Sequence, residues 1–209
     1  MDRSRLEAFS AGVFAVAITL LSLNLTVDGS GHGPLLDQLN AKGPAFLAYL
    51  ISFFMIGIMW VNHHALVRSI TKVDRTLLFL NLVLLLFVVL IPFATATEAS
   101  YFPHNTSDAQ LAMVFYSGVF LGMSAGFGGI FEWTLHGQRV YQPLPPDRHW
   151  PARVRFVGGA LFYVLAIVVA TFNAVAAFVL IALVALYYIL ENTPASPGAE
   201  SSGDDETVV

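Results

Sequence analysis

Apolar runs of membrane length, separated by short polar breaks, set the pattern of this chain as far as residue 191. A helix crosses a bilayer with roughly 20 mostly apolar residues. Six runs meet that requirement, at about residues 5–27, 44–69, 74–98, 108–135, 153–173 and 175–191. The breaks carry turn chemistry: Asp28-Gly-Ser-Gly-His-Gly-Pro34 after the first run, Phe102-Pro-His-Asn-Thr106 after the third, Gln142-Pro-Leu-Pro-Pro146 after the fourth. Only Phe172-Asn173-Ala174 separates the last two runs, which predicts a tight helical hairpin. The first run is longer than the roughly 7–15-residue core of a signal peptide and no small-x-small cleavage site follows, so it reads as retained.

Composition turns this pattern into a class. Of 209 residues 56% are hydrophobic and 11% charged, with a mean hydropathy of +0.70. Soluble domains carry about 25% charged residues, and so much apolar side chain does not fit in a soluble core. The expectation is an all-α integral membrane protein of six transmembrane helices, with residues 1–191 as one helical domain. From 192 to 209 the chain is rich in Ser, Gly and acids, and reads as a disordered, solvated tail. Cysteine is absent, which excludes disulfides, thiolate metal sites and a Cys nucleophile. No basic patch interleaves with aromatics, so nucleic-acid binding has no support.

Charge sets the orientation. Arg3 and Arg5 precede the first helix, Arg68, Lys72 and Arg75 lie between the second and third, and Arg139, Arg148, Arg153 and Arg155 between the fourth and fifth. Lys42 alone falls on the other side. By the positive-inside rule both termini are expected in the cytoplasm, as an even number of spans requires.

The first helix carries Ser10, Thr19, Ser22 and Asn24 through its apolar span. An anchor in lipid has no use for that set, whereas a helix beside a water-filled path or a close neighbour does. Val16, Thr19 or Leu20, and Leu23 recur at spacings of three and four and share one stripe. The stripe reads either as ordinary apolar packing or as a pore wall narrowed by bulky side chains, with Thr19 or Ser22 supplying oxygens. At the end of the second helix stands Trp60-Val-Asn62-His63-His64. Adjacent histidines diverge by about 100° on a helix, so they do not make the metal-binding pair found at i, i+4. One imidazole is expected inside the bundle and the other at its rim, with Arg5, Glu7, Ser10 and Asn81 as candidate partners. Pro92 is expected to loosen the third helix, with Thr95 taking up freed backbone groups. Glycines at 118, 122, 126, 128 and 129 give the fourth helix a close-packing face. Successive helices run in opposite directions, so Glu98 and Glu132 fall at opposite faces of the membrane, and no nucleophile, base and orienting group converge, so no enzyme is expected.

Three motifs carry a resemblance. Arg5-x-x-x-Phe9-Ser10-x-Gly12-Val-Phe-Ala-Val-Ala-Ile-Thr19-Leu-Leu, Trp60-x-x-His63-His64-x-Leu, and Leu80-Asn81-Leu-x-Leu-Leu-x-x-Phe87-x-x-x-Ile91-Pro92-Phe93 stand in order over the first half of the chain. They resemble the first three helices of the prokaryotic relatives of the endolysosomal potassium channel known as transmembrane protein 175. The resemblance implies a homotetramer around a central pore lined by the first helix, in the plasma membrane of a prokaryote. It implies a constriction at Val16, Leu20 and Leu23 with Thr19 on a neighbouring edge, and potassium as the permeant ion. It also implies a polar network of Arg5, Ser10, Trp60, His63 or His64, and Asn81 behind the pore. No cofactor and no resident metal are implied, only potassium in transit. The family signature has Asp after Phe-Ser where this chain has Ala11. Two other readings compete with a potassium-preferring channel. One is a non-conducting structural or accessory membrane protein. The other is a small proton-coupled transporter, which would want paired broken helices and a charged midplane residue.

Overall fold

The computed structural model describes residues 2–102, 106–136, 139–142 and 145–190. The acidic tail read from 192 onward lies outside these residues, as do turn positions 103–105 and 143–144. Among the described residues seven helices form in chain order: α1 (Arg3–Ser22), α2 (Leu35–Ala41), α3 (Gly43–Ser69), α4 (Arg75–Tyr101), α5 (Ser107–Leu135), α6 (Pro146–Ala170) and α7 (Ala174–Leu190). Four of them, α1, α3, α4 and α5, are long and apolar enough to cross a membrane; Val157–Ala170 of α6 and the whole of α7 are shorter apolar stretches.

Local chemistry starts these helices where it does. The Asp74 carboxylate accepts from Leu77 N–H at 2.8 Å, the Thr106 hydroxyl from Ala109 N–H at 3.2 Å, and the Asn173 side chain from Ala176 N–H at 2.9 Å. Each cap satisfies a donor that the first turn leaves open. Pro44 and Pro146 enter α3 and α6 in the first turn, where a missing N–H is harmless. Pro92 lies inside α4, which nonetheless runs unbroken from Arg75 to Tyr101. The carbonyl that a proline frees belongs to the residue four before it, here Val88. The Thr95 hydroxyl goes instead to the Ile91 carbonyl, at 2.8 Å, so it does not mend the gap that the sequence suggested.

The short α2 has no counterpart among the apolar runs. It packs on α3 and orders the loop before it through Gln38. The Gln38 amide accepts from Asp28 N–H at 3.0 Å and donates to the carbonyls of Gly29 and Gly33, both at 2.9 Å. Those two glycines have φ of 92° and 95°, a region that side chains disfavour.

In the bundle α4 lies against α1, α3 and α5, and α5 carries α6 and α7 on its other side. The α4–α5 seam is very close. A Cβ at Gly126 would stand 2.9 Å from the Leu84 Cα, one at Gly122 would overlap the Phe87 ring, and one at Gly129 would press on Leu80. Gly118 and Gly128 face open space and take no part. At the end of the bundle where α1 begins, the α3–α4 and α5–α6 connections pair through an antiparallel bridge of Ile70 with Val140. Arg3 reaches the Arg68 carbonyl there at 3.0 Å.

Candidate pore helix and buried polar chains

α1 has two faces with different duties. Leu6, Ser10, Phe14, Ala17 and Leu21 recur at spacings of three and four and are buried against α3 and α4. The opposite stripe is apolar and open: Val16 is 55% exposed, Leu20 37% and Leu23 68%, with Phe9 and Gly12 below them. Thr19 is on this exposed side; its hydroxyl donates to the Val16 carbonyl at 2.8 Å, and that of Ser22 to the Thr19 carbonyl at 2.9 Å. Both protons are therefore satisfied within the helix, and what each oxygen presents outward is lone pairs, suited to accept from water or to meet a cation.

Behind that stripe runs a buried polar chain. The Ser10 hydroxyl donates to the Leu6 carbonyl at 2.9 Å, which leaves its oxygen as an acceptor. The Asn81 amide nitrogen donates to Ser10 at 3.1 Å, and the Asn81 amide oxygen lies 2.8 Å from His63 Nε2. With the amide in that orientation, Nε2 carries the proton and donates. The chain runs from His63 through Asn81 and Ser10 into an α1 carbonyl and links α3, α4 and α1. All three side chains are buried, and Phe14 covers the imidazole with ring centroids 5.5 Å apart.

The neighbouring residues occupy the rim. His64 pairs with Glu7, Nδ1 to Oε1 at 2.9 Å, and Trp60 stacks on it at 5.8 Å. Arg5 stands apart from this network: it is exposed, on the same stripe as Phe9, Gly12 and Val16, and its side chain makes no ion pair or hydrogen bond among the described residues. It is Arg3, two residues earlier, that turns inward to the backbone. Ala11 sits beside Ser10 half-buried, with no side-chain polar group to offer. Farther along the same end of the bundle, Glu132 of α5 is held by Arg153 of α6, with Nε 2.9 Å from a carboxylate oxygen.

A second buried chain, toward the other end of α4, was not legible in the motifs. Ser52 of α3 lies 2.8 Å from Thr95 and 2.9 Å from the Tyr116 hydroxyl of α5. Because Thr95 gives its proton to Ile91, Ser52 donates to Thr95 and Tyr116 donates to Ser52. Thr95 also lines a cavity of about 590 Å³ between the end of α1, α2, α3 and the end of α4. Among the described residues no three His, Asp or Glu side chains gather as metal ligands do.

Residues 5–92 match the family model described as endosomal/lysosomal potassium channel TMEM175. A potassium channel of Streptomyces collinus is 39% identical over 197 residues, covering 92% of this chain and 94% of that one. The chain belongs to the TMEM175 family. A potassium channel of Chamaesiphon minutus is 36% identical over 151 residues, covering 71% of this chain and 73% of its own length. The crystal structure of a lysosomal potassium-selective TMEM175 homologue from Chamaesiphon minutus superposes with a TM-score of 0.78 at 30% identity, over 90% of this chain and 96% of that one. The matched TMEM175 segment ends at Pro92, so it holds the first polar chain entire and stops short of Thr95 and Glu98.

Proposed function

We propose that this protein is a potassium-preferring cation channel, a homotetramer whose central pore is lined by α1. The observation that carries the reading is the unpartnered stripe of Val16, Leu20 and Leu23 on α1, in a chain whose relatives are named potassium channels. Four copies of that stripe around an axis narrow the path with bulky apolar side chains, and an apolar constriction gates by dewetting. Thr19, with its proton held by the Val16 carbonyl, adds a ring of outward lone pairs at the same level. In this reading α1, α3, α4, α5, α6 and α7 cross the plasma membrane of a prokaryote and both termini are cytoplasmic. The basic residues at the α1-starting end of the bundle support that orientation. A non-conducting accessory role leaves the open apolar stripe of α1 unused, and a proton-coupled transporter would want paired broken helices, which do not occur among the described residues.

Oligomer mass in detergent is the first test, with a tetramer expected and a monomer overturning the central pore. Reconstituted into potassium-loaded liposomes, the protein is expected to dissipate the gradient, and faster as Leu23→Ala or Val16→Ala widens the constriction. Flux no greater than that of empty liposomes in wild type and in both widened variants would reject the channel.

A further inference from the structure

Glu98 is an anomaly in a bundle that otherwise satisfies its polar groups. It is 3% exposed on α4, and among the described residues neither carboxylate oxygen has a hydrogen-bond partner. Ile91, Thr95 and Glu98 fall at spacings of four and three, so Glu98 rises one turn beyond Thr95 on the same buried face. Tyr116, buried across the seam on α5, lies within electrostatic reach of it. An ionised carboxylate at such a place needs hydrogen-bond donors or a cation. The hydroxyl chain offers none: the protons of Thr95, Ser52 and Tyr116 are all committed, ending at the Ile91 carbonyl. What the Tyr116 oxygen has left is lone pairs, which suit an O–H neighbour and repel an anion. Among the described residues no charged side chain compensates it. The titratable side chain on the first half of α3 is Tyr49, and on the first half of α5, besides Tyr116, it is Asp108, itself acidic. The facing stretches of α1 and α7 carry none. Asp28, His32, Asp37 and Lys42 stand on the wall of the 590 Å³ cavity, which Thr95 lines and Glu98 does not.

The geometry points to Glu98 as a proton-binding site inside the subunit, separate from the α1 stripe, with the Tyr116–Ser52–Thr95 hydroxyls as its path to the cavity. The carboxyl and the Tyr116 oxygen are not hydrogen-bonded at rest, so on release the carboxyl first turns onto that oxygen and gives it its proton, each hydroxyl passes its own proton on, and Thr95 yields one to cavity water. The net change is one proton lost from Glu98, and the hydroxyl chain is left reversed with donors facing the carboxylate. The site does not depend on the channel reading, because it is detected without measuring flux.

Infrared spectra of the full-length protein in liposomes test it. At neutral pH wild type is expected to show the carbonyl band of a protonated carboxylic acid, shifted by heavy-carbon labelling of glutamate and removed by alkali. Glu98→Gln is expected to lose that band. Should that variant fail to fold, the band must instead persist in every other single glutamate-to-glutamine variant. Thr95→Val is expected to keep the band and slow its shift on transfer to heavy water. Absence of the band from wild type at neutral pH, or its survival in Glu98→Gln, overturns the site. Unchanged exchange in Thr95→Val overturns the path.

Discussion

The two buried polar chains are built on one plan and end differently. Each has three side chains from three helices, and each discharges its last proton into a backbone carbonyl one turn back, Leu6 for Ser10 and Ile91 for Thr95. The first starts at an imidazole whose partner is in place. The second starts at a phenol near a carboxyl that has no hydrogen-bond partner among the described residues. A closed chain fixes geometry, since breaking any link strands a buried donor or acceptor. A chain left open beside a titratable group keeps two arrangements within reach, so one plan serves rigidity at one end of α4 and exchange at the other.

Asn81→Ala cuts the first chain at its centre and should produce the largest change. It strands His63 and leaves a void, and is expected to cost about 3 kcal/mol in detergent unfolding. Wild-type stability would show that the chain does not hold α1. Tyr116→Phe removes only the first donor of the second chain, while Ser52 keeps Thr95, so the expected loss is about 1 kcal/mol. A loss matching that of Asn81→Ala would erase the difference between the chains. The smallest expected effect is a coupling. Asn81 and Thr95 are about 20 Å apart along α4 at 1.5 Å per residue. Ser10→Ala and Tyr116→Phe should then add to within about 0.5 kcal/mol in a double-mutant cycle, and a larger coupling would join the two chains into one network.

How much of this could be read from the sequence depends on where the signal lies. Apolar length alone located α1, α3, α4 and α5 to within a few residues, because a bilayer imposes a minimum run. It missed α2, whose Leu35–Ala41 turn is too short and too polar to register, and it began α6 seven residues late, since Pro146 starts the helix before the apolar part does. Ser10, His63 and Asn81 stood out because polar residues in an apolar span need partners. Ser52 and Tyr116 did not, since hydroxyls and phenols are common in such spans and only the fold brings α3, α4 and α5 together. The family resemblance implies Arg5 in the network, whereas its stripe on α1 is exposed, on the side away from Ser10. Of the five glycines on α5, periodicity singles out 122, 126 and 129 only once the α4 face is known.

The Ser10–Asn81 contact has a mechanical consequence. α1 is a cylinder with one keyed position, and a helix turned by a single residue's angle, about 100°, carries its key out of the slot. Rotation of α1 about its own axis is thereby opposed, as is a slide that parts Ser10 from Asn81, while tilting about the contact remains. In a ring of four, Val16, Leu20 and Leu23 would then widen the path as an iris of inclining rods, each keeping the same edge toward the axis from shut to open.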